Sequence, residues 1–380
     1  MSRVRVPAAT LRFLRPLAAR ARSLGLPLYV VGGPVRDWLL GRTTADLDLA
    51  VAGDPDPIAE SCARRLGARV ECFGRFGTRR VVGRGRRRVD VAATRAESYA
   101  QPAALPEVLE TGVPIERDLA RRDFSINAMA CRLDDGSYAL VDPFGGGRDL
   151  ERGVLRVLHE DSLRDDPTRA FRAARFLGRF GFRPDAELLR QIDDALVRGH
   201  AARLSPHRLL HELLCLLAEP DPFPALHLLG EWGWLPLLMI GPAVKPGLGA
   251  GSIPRGVEQR LLWLALALGP ERGPQFAEFF PFAHETGRRL RDALALARSD
   301  RAPRSRLDPL LGAALRRAFP GLAAAALRPC FLDGADLLAR GLKPGPAFHE
   351  VLDEAARLQR RGELRSRPAA LKWLDARVGN

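Results

Sequence analysis

The sequence predicts an α+β protein: a mixed N-terminal domain followed by an all-α arm. Three observations carry this. Short β-rich apolar runs punctuated by Gly and Pro fill the chain to about residue 142. From about residue 150 the strand signals give way to apolar residues at helical spacing, interleaved with arginine. A Gly/Pro-rich break at Gly241 to Pro254 then reads as a loop between bodies.

Taken in order, Leu28-Tyr29-Val30-Val31 reads as a buried strand and Ala45 to Val51 as a second. Residues 52–72 carry a helical pattern. Val81-Val82 and Val89-Asp90-Val91 are β-rich pieces joined by the turn-prone Gly83-Arg84-Gly85, and Ser137 to Val141 reads as a further strand. Asp166 to Phe180 places Ala170, Ala173, Ala174 and Leu177 at helical spacing. Ala186 to Val197, Pro206 to Leu217 and much of 258–380 repeat that pattern. No internal repeat of fixed period is present.

Composition narrows the class. The chain has 380 residues, 46% hydrophobic and 27% charged, which excludes wholesale disorder. Its formal net charge of +14 points to a polyanionic partner, nucleic acid or an anionic membrane face. All but three of the basic residues (Lys245, Lys343, Lys372) are arginine. The five cysteines, Cys62, Cys72, Cys131, Cys215 and Cys330, form no CxxC pair, which argues against a disulfide framework or a structural zinc site. No apolar run has the length of a signal peptide or membrane span, so a soluble, cytoplasmic protein is expected.

The first chemical constellation is Val31-Gly32-Gly33-Pro34-Val35-Arg36-Asp37, followed by Asp46-Leu47-Asp48. A strand runs into paired glycines that let a ligand approach the backbone, and Pro34 suits a first helical turn whose free N–H groups favour phosphate. Arg36, one turn in, is expected to reach the same phosphates. Asp46 and Asp48, at i and i+2 in a strand, share one face. Such a carboxylate pair suits two Mg²⁺ ions about 4 Å apart, serving an attacking hydroxyl and a leaving pyrophosphate. Asp90 within Val-Asp-Val is either a third ligand there or a salt-bridge partner of the Arg84 to Arg88 run.

Gly-Gly-x-Val-Arg-Asp followed by Asp-x-Asp resembles the head domain of class II tRNA nucleotidyltransferases, the CCA-adding enzyme and bacterial poly(A) polymerase family, a branch of the polymerase-β-like nucleotidyltransferases. The resemblance extends over roughly residues 27–218, with motifs in the family's order. Arg121-Arg122-Asp123-Phe124-Ser125-Ile126-Asn127-Ala128 is similar to its RRDFxINA motif and implies that Arg122, Asp123 and Asn127 contact the nucleotide's phosphates and sugar. Asp123 and Asn127, at i and i+4, are expected on one helical face. Asp142-Pro143-Phe144-Gly145-Gly146 is similar to the hinge between head and neck, with Gly145, Gly146 and Gly147 expected to supply backbone freedom.

Asp165-Asp166-Pro167-Thr168-Arg169-Ala170-Phe171-Arg172-Ala173-Ala174-Arg175 resembles the base-reading motif, with Asp165 where the family has Glu. Pro167 at the first helical position places Asp166 at the N-cap. An acceptor (Asp166) beside a donor (Arg169) matches the Watson–Crick edges of cytosine and adenine and is reversed for guanine and uracil. The resemblance gives these two residues that role and gives Arg172 and Arg175 nucleotide or phosphate contacts. Ser205-Pro206-His207-Arg208 to Glu212 resembles a neck motif, with His207 replacing Glu; Ser205 reads as a helix N-cap.

The resemblance therefore implies a nucleotidyltransferase head over 1–142, a helical neck recognising the base over 143–218, and a helical body and tail binding tRNA over 219–380. The implied activity is template-independent addition of C and/or A from CTP and ATP to the tRNA 3′ end, with catalytic Asp46, Asp48 and Asp90. Asp46 and Asp48 would hold Mg²⁺, and the triphosphate would lie on Gly32, Gly33 and Arg36. The tRNA acceptor arm is the expected partner, with neither membrane nor obligate protein partner. Full CCA addition, CC-only, A-only and poly(A) addition share these motifs. Glu97 to Glu110 departs from the segment common in full CCA-adders, where a flexible loop is associated with the switch from C to A. A non-catalytic RNA-binding relative is the alternative from another class. A nicotinamide-binding enzyme fits poorly, because no GxGxxG follows the first strand.

Overall fold

The computed structural model describes residues 3–44, 46–73, 77–83, 88–241, 256–299, 301–303, 307, 311–312, 314–315 and 324–378. The chain divides into two compact units, 1–204 with 224–232 and 205–223 with 233–380.

The first unit opens with helix α1 (Ala8–Ser23), an element not expected from the sequence, which buries Phe13, Leu14 and Leu17. β1 (Leu28–Val31), α2 (Gly33–Leu39), β2 (Leu47–Val51) and α3 (Asp56–Leu66) follow. Ala45, the expected start of the second strand, lies outside the described residues. The helical pattern at 52–72 ends early, because Gly67 takes a left-handed φ of 59°. The β-favouring Val70–Phe73 then forms β3 rather than further helix. β4 (Thr78–Val82) and β5 (Arg88–Ala93) are antiparallel, and 84–87 of the expected turn lie outside the described residues.

After β5 come β6 (Arg95–Ser98), β7 (Glu107–Thr111), α4 (Ile115–Ala120), a 3₁₀ turn at Ser125–Asn127, β8 (Ala130–Arg132) and β9 (Leu140–Val141). Seven strands form one sheet in the order β3-β4-β5-β2-β1-β8-β9. The strands alternate faces, as the two-residue period requires. Leu28, Val30, Leu47, Leu49, Val89 and Val91 join α1 and α3 in one core, while Tyr29, Val31 and Ala50 pack with Ile115 and Leu119 on the other face. Asp48 and Asp90 are register partners in the parallel β2–β5 pair. By alternation both lie on the second face, beside Ala50.

The unit is completed by α5 (Gly146–Arg152), β10 (Val154–Leu155), α6 (Ser162–Asp165), α7 (Thr168–Phe180), β11 (Arg183–Pro184) and α8 (Ala186–Val197). The parallel β10–β11 pair corrects the expectation that strands cease after 150. It is only two residues long, below what a periodicity window resolves.

In the second unit, α9 (Pro206–Leu217) starts where the sequence placed it, with Ser205 Oγ accepting from the Arg208 N–H. Its C-terminal carbonyls are closed by Arg260, which donates to the carbonyls of Leu217 and Pro220 and also to that of Glu219. Helices Val257–Ala267, Gly269–Phe279 and His284–Arg298 follow, then Gly334–Leu338, Pro346–Arg361 and Arg367–Val378 around Leu337, Phe348, Val351 and Leu374. Residues 242–254 of the expected Gly/Pro loop lie outside the described residues. No described helix is long and apolar enough to cross a membrane.

Candidate functional site

β1 delivers the chain into the paired glycines. Gly32 has a φ of 72°, and its N–H donates to the Met129 carbonyl at 3.0 Å. A Cβ there would stand 2.9 Å from Arg122 Nη1, so the Arg122 guanidinium lies against the bare glycine face. Arg122 Nη2 donates to Asp118 at 2.9 Å, while Arg122 Nε is buried with no hydrogen-bond partner. An orphaned guanidinium N–H in a buried setting is costly unless a further acceptor arrives.

Beside it lie the carboxylates. Burial pushes the Asp48 carboxyl up, Arg122 opposes this, and Asp90 adds to it. Among the described residues, Asp48 has no hydrogen bond or ion pair. Asp46 precedes β2 and pairs with Arg88 at 2.9 Å; Arg88 also lies 3.8 Å from Asp90. Asp90 is held bidentately by Arg80 at 2.8 and 2.7 Å. Of the two roles open to Asp90, the structure displays an ion pair. Its main partner is Arg80, the cross-strand residue on β4, rather than the 84–88 run, of which 84–87 are not described. Arg80 was missed because cross-strand register is not visible in one dimension.

The second motif converges on the same place, with its residues committed to one another. Asp123 and Asn127 do not share an α-helix; the 3₁₀ turn between them lets Asn127 Nδ2 donate to Asp123 Oδ1 at 3.1 Å. Arg172 donates to Asp123 Oδ2 at 2.9 and 2.5 Å. Burial works to raise the Asp123 carboxyl, but Arg172 and these hydrogen bonds outweigh it and hold it below the usual range. Arg36 is only 5% exposed and does not reach outward as expected. Its Nη1 donates to Asn127 Oδ1 at 2.7 Å, and its Nε and Nη2 to Asp37 Oδ1 at 2.9 and 2.8 Å. Asp118 is a hub the sequence reading did not single out: it accepts from Arg121, Arg122 and the Arg95 N–H.

α7 begins one residue later than expected, at Thr168, yet Asp166 still caps it. Asp166 Oδ1 accepts from the Thr168 N–H at 3.0 Å and from its hydroxyl at 2.6 Å. Arg169 is 3% exposed; it donates to Ser162 Oγ at 2.5 Å and to the Arg121 carbonyl at 3.0 Å. Arg172 and Arg175 lie on the half-buried side of α7. The helix thus turns Arg169 inward, apart from Arg172 and Arg175.

Two segments singled out in the sequence, the glycine run expected to supply backbone freedom and the 97–110 segment, are held by specific contacts. Asp142 accepts from the Gly146 and Gly147 N–H groups at 2.7 and 2.9 Å. A Cβ on Gly146 would meet the Ser125 carbonyl at 2.1 Å, so the glycine serves close packing rather than freedom. In the 97–110 segment both ends are paired: β6 and β7 form an antiparallel ribbon with a register shift between Ala96 and Glu97. Glu97 anchors it to Arg95 and Arg121 at 2.6 and 3.2 Å. His207 and His211 take part in no described cluster of three metal-ligating side chains.

Residues 28–156 match the family model described as the poly(A) polymerase head domain. An A-adding tRNA nucleotidyltransferase of Halalkalibacterium halodurans is 44% identical over 56% of this chain and 50% of its own length. The A-adding enzyme of Geobacter sulfurreducens is matched over 25% of its length, so the chain spans a quarter to a half of these A-adding relatives. A CC-adding tRNA nucleotidyltransferase of Deinococcus radiodurans is 35% identical over 93% of this chain and 90% of its own. Among solved structures, a CCA-adding enzyme in an apo form aligns with a TM-score of 0.71 at 27% identity, covering 98% of this chain and 96% of that one. A Thermotoga maritima CCA-adding enzyme complexed with tRNA aligns at 0.65 and 26%, covering 98% and 97%. With that fold, those motifs in order and a relative matched along nearly its whole length, the chain belongs to the tRNA nucleotidyltransferases built on the poly(A) polymerase head.

Proposed function

We propose that this chain is a template-independent nucleotidyltransferase that adds C and/or A from CTP and ATP to the 3′ end of tRNA. The observation that carries the reading is the juxtaposition of a desolvated, unpartnered Asp48 carboxylate with the orphaned Arg122 Nε beside the bare Gly32 backbone. A site that leaves a half-buried anion and a buried cation donor both unsatisfied is complementary to a substrate carrying both charge types, a metal-bound triphosphate.

The donor set fits Mg²⁺. No three described His, Cys, Asp or Glu side chains could hold a metal together, but Mg²⁺ needs only one or two protein carboxylates and takes its other oxygens from water and phosphate. Asp46 and Asp48 would hold it. Arg88, whose guanidinium pairs with Asp46 and approaches Asp90, occupies their field with a cation already. Bound there, Mg²⁺ supplies Lewis acidity that favours the ionised 3′-hydroxyl and the developing pyrophosphate.

The chain's own residues do the rest. Gly32 and Gly33 let the triphosphate lie against the backbone, and Arg122 donates to it from above Gly32. The tRNA 3′-oxygen forms a bond to the α-phosphorus while the α–β bridging oxygen leaves with pyrophosphate; the hydroxyl proton passes to water. Asp166 would accept from the exocyclic amino group of cytosine or adenine, and Arg169, which here donates to Ser162 Oγ and the Arg121 carbonyl, would turn an N–H to the adjacent ring nitrogen when the nucleotide binds. Arg172 and Arg175 line the same helix toward the nucleotide, and Asp123 and Asn127 shape the sugar pocket from behind. In this reading 1–142 is the head, 143–218 the neck, and the arginine-rich helices of 219–380 hold the acceptor arm by its phosphates. A tRNA substrate places the work in the cytoplasm.

A partial activity, CC or A addition alone, is the second reading. It is favoured by the paired β6–β7 ribbon, where full CCA-adders are associated with a flexible loop, and by the CC- and A-adding names of the relatives. The test is extension of tRNA transcripts ending before CCA, after C and after CC, with Mg²⁺ and each of the four nucleotides, against an Asp46→Ala/Asp48→Ala control. Ordered C, C, A addition lost in the control supports the full activity. CTP use alone, or ATP use only on the CC end, supports the partial one. Long A tails on unrelated RNA indicate a poly(A) polymerase, and no incorporation leaves an RNA-binding relative.

A further inference from the structure

Arg36 belongs to the motif that implies triphosphate contact, yet its surroundings assign it another task. All the polar contacts the structure gives its guanidinium are internal, to Asn127 Oδ1 and to Asp37 Oδ1. Its cationic carbon lies over two rings of α7: Cζ is 5.3 Å from the centroid of Phe176 and 5.0 Å from that of Phe180. Those rings stack on each other with centroids 6.1 Å apart and planes 11° apart, and Phe180 stacks in turn on Phe182 at 5.2 Å. Phe124, inside the second motif, meets Phe176 edge to face at 5.8 Å.

These contacts close a ring. Arg36 bonds Asn127, Asn127 bonds Asp123, Asp123 holds Arg172, and Arg172 stands one turn before Phe176, on which Arg36 rests. Three segments far apart in sequence, the Gly32–Gly33 turn, the second motif and the base-reading helix, are joined at one guanidinium. A guanidinium suits this joint: its fork makes several directed hydrogen bonds while its delocalised charge rests against aromatic rings, a combination a compact ammonium matches poorly.

We infer that Arg36 is a positioning residue for base selection, a latch that fixes the register of α7 against the glycine turn, and not a ligand of the triphosphate. The inference rests on the transferase reading above, in which Asp166 and Arg169 at the start of α7 read the base. Hydrogen-bond discrimination between bases requires donor and acceptor to be held to within about half an ångström. Phe176 and Phe180 lie two and three turns beyond Arg169, so a latch there limits sliding and rotation of the whole helix. Loosening it blurs the choice of base before it weakens binding.

The experiment measures kcat and KM for CTP, ATP, GTP and UTP on tRNA ends, for the wild-type chain and for Arg36→Lys, Phe180→Leu and Phe180→Tyr. Arg36→Lys keeps the charge and loses the fork and the face; it is expected to lower the ratio of correct to incorrect kcat/KM by about tenfold or more. Phe180→Leu, which changes no polar group, should lower the same ratio, and Phe180→Tyr, which restores the ring, should recover it. If Arg36→Lys instead raises KM alike for all four nucleotides and leaves the ratio intact, Arg36 acts on the triphosphate and the inference is overturned. A wild-type ratio in Phe180→Leu overturns it too, and decides the matter if Arg36→Lys does not fold. A wild-type chain that incorporates none of the four nucleotides overturns the transferase reading, and this inference with it.

Discussion

Two pairs of aspartates in the same unit are treated in opposite ways. Asp118 and Asp123 are buried, and burial alone would raise their carboxyls. Arg122 and Arg121 around Asp118, and Arg172 around Asp123, outweigh it and hold both below the usual range. Asp48 is also desolvated, but nothing described pairs with it, and its carboxyl is raised. Asp46 has one partner, and that pair is half exposed to solvent. Residue type is the same throughout, so the difference lies in the partners. Saturated carboxylates hold this fold together; starved ones await something the chain does not itself supply.

The largest effect that would sharpen this contrast is on activity. Asp48→Asn should lower kcat by roughly a thousandfold or more, because it removes charge stabilisation at the reacting phosphate. The same substitution should leave stability unchanged or raise it, since it removes a desolvated, unpaired charge. Single-turnover incorporation and urea denaturation measure the two halves. A destabilised Asp48→Asn would collapse the comparison, because it would mean the carboxylate is structural after all.

The mirror-image variant tests the other pair. Asp118→Asn leaves Arg121 and Arg122 without their buried anion, at a cost of about 3–5 kcal/mol, the range for breaking a buried pair. Glu97 still faces Arg121 at 3.2 Å, which puts the expectation toward the lower end of that range. Next in size is Gly146→Ala. Its Cβ would collide with the Ser125 carbonyl at 2.1 Å, backbone against side chain, and overpacking of that kind costs about 1–3 kcal/mol. A wild-type melting temperature in that variant would restore the flexible-hinge reading of the Gly145 to Gly147 run.

The same contrast marks what a one-dimensional reading can reach. α8 and α9 were legible to the residue, because each begins at a cap (Asp185, Ser205) and carries a clean apolar period. Leu28 to Val31 was legible as an uninterrupted β-favouring run, and Val89 and Val91 as apolar residues at the two-residue strand period around Asp90. α1 was not, because Pro16 sits inside it and arginines break its apolar stripe. β3 was absorbed into a helical pattern that Gly67 in fact terminates. In the site, the motif residues could be found from spacing, since Gly32–Gly33, Asp46–Asp48 and 121–127 are local strings. What they do to each other could not. That Arg80 takes Asp90 and that Arg36 turns inward to Asn127 are facts of register and packing between segments up to 91 residues apart, whereas the hold of Asp118 on Arg121 and Arg122, three and four residues on, was readable from helical spacing and was overlooked.

The smallest expected effect concerns a histidine next to Arg169. His159 is held below its usual range, first by burial and then by the like charge of Arg169, with Asp161 opposing. The sign follows from linkage. Above the unfolded-chain value, about 6.5, both states are neutral and nothing is lost. As pH falls through 6.5 the unfolded chain takes up the proton first, so stability declines until the folded-state value is passed. The folded chain should therefore melt lower at pH 5.5 than at pH 7.5, by a screened contribution of less than about 1 kcal/mol. His159→Gln should flatten part of that slope. It should not remove it all, because His200 is pushed down in the same direction by burial and by Arg203, Arg164 and Arg198. An unchanged slope in His159→Gln would mean that His159 is not held down in solution, neither by burial, the larger cause, nor by the charge of Arg169, and that its seat beside α7 is more open to water than the structure shows.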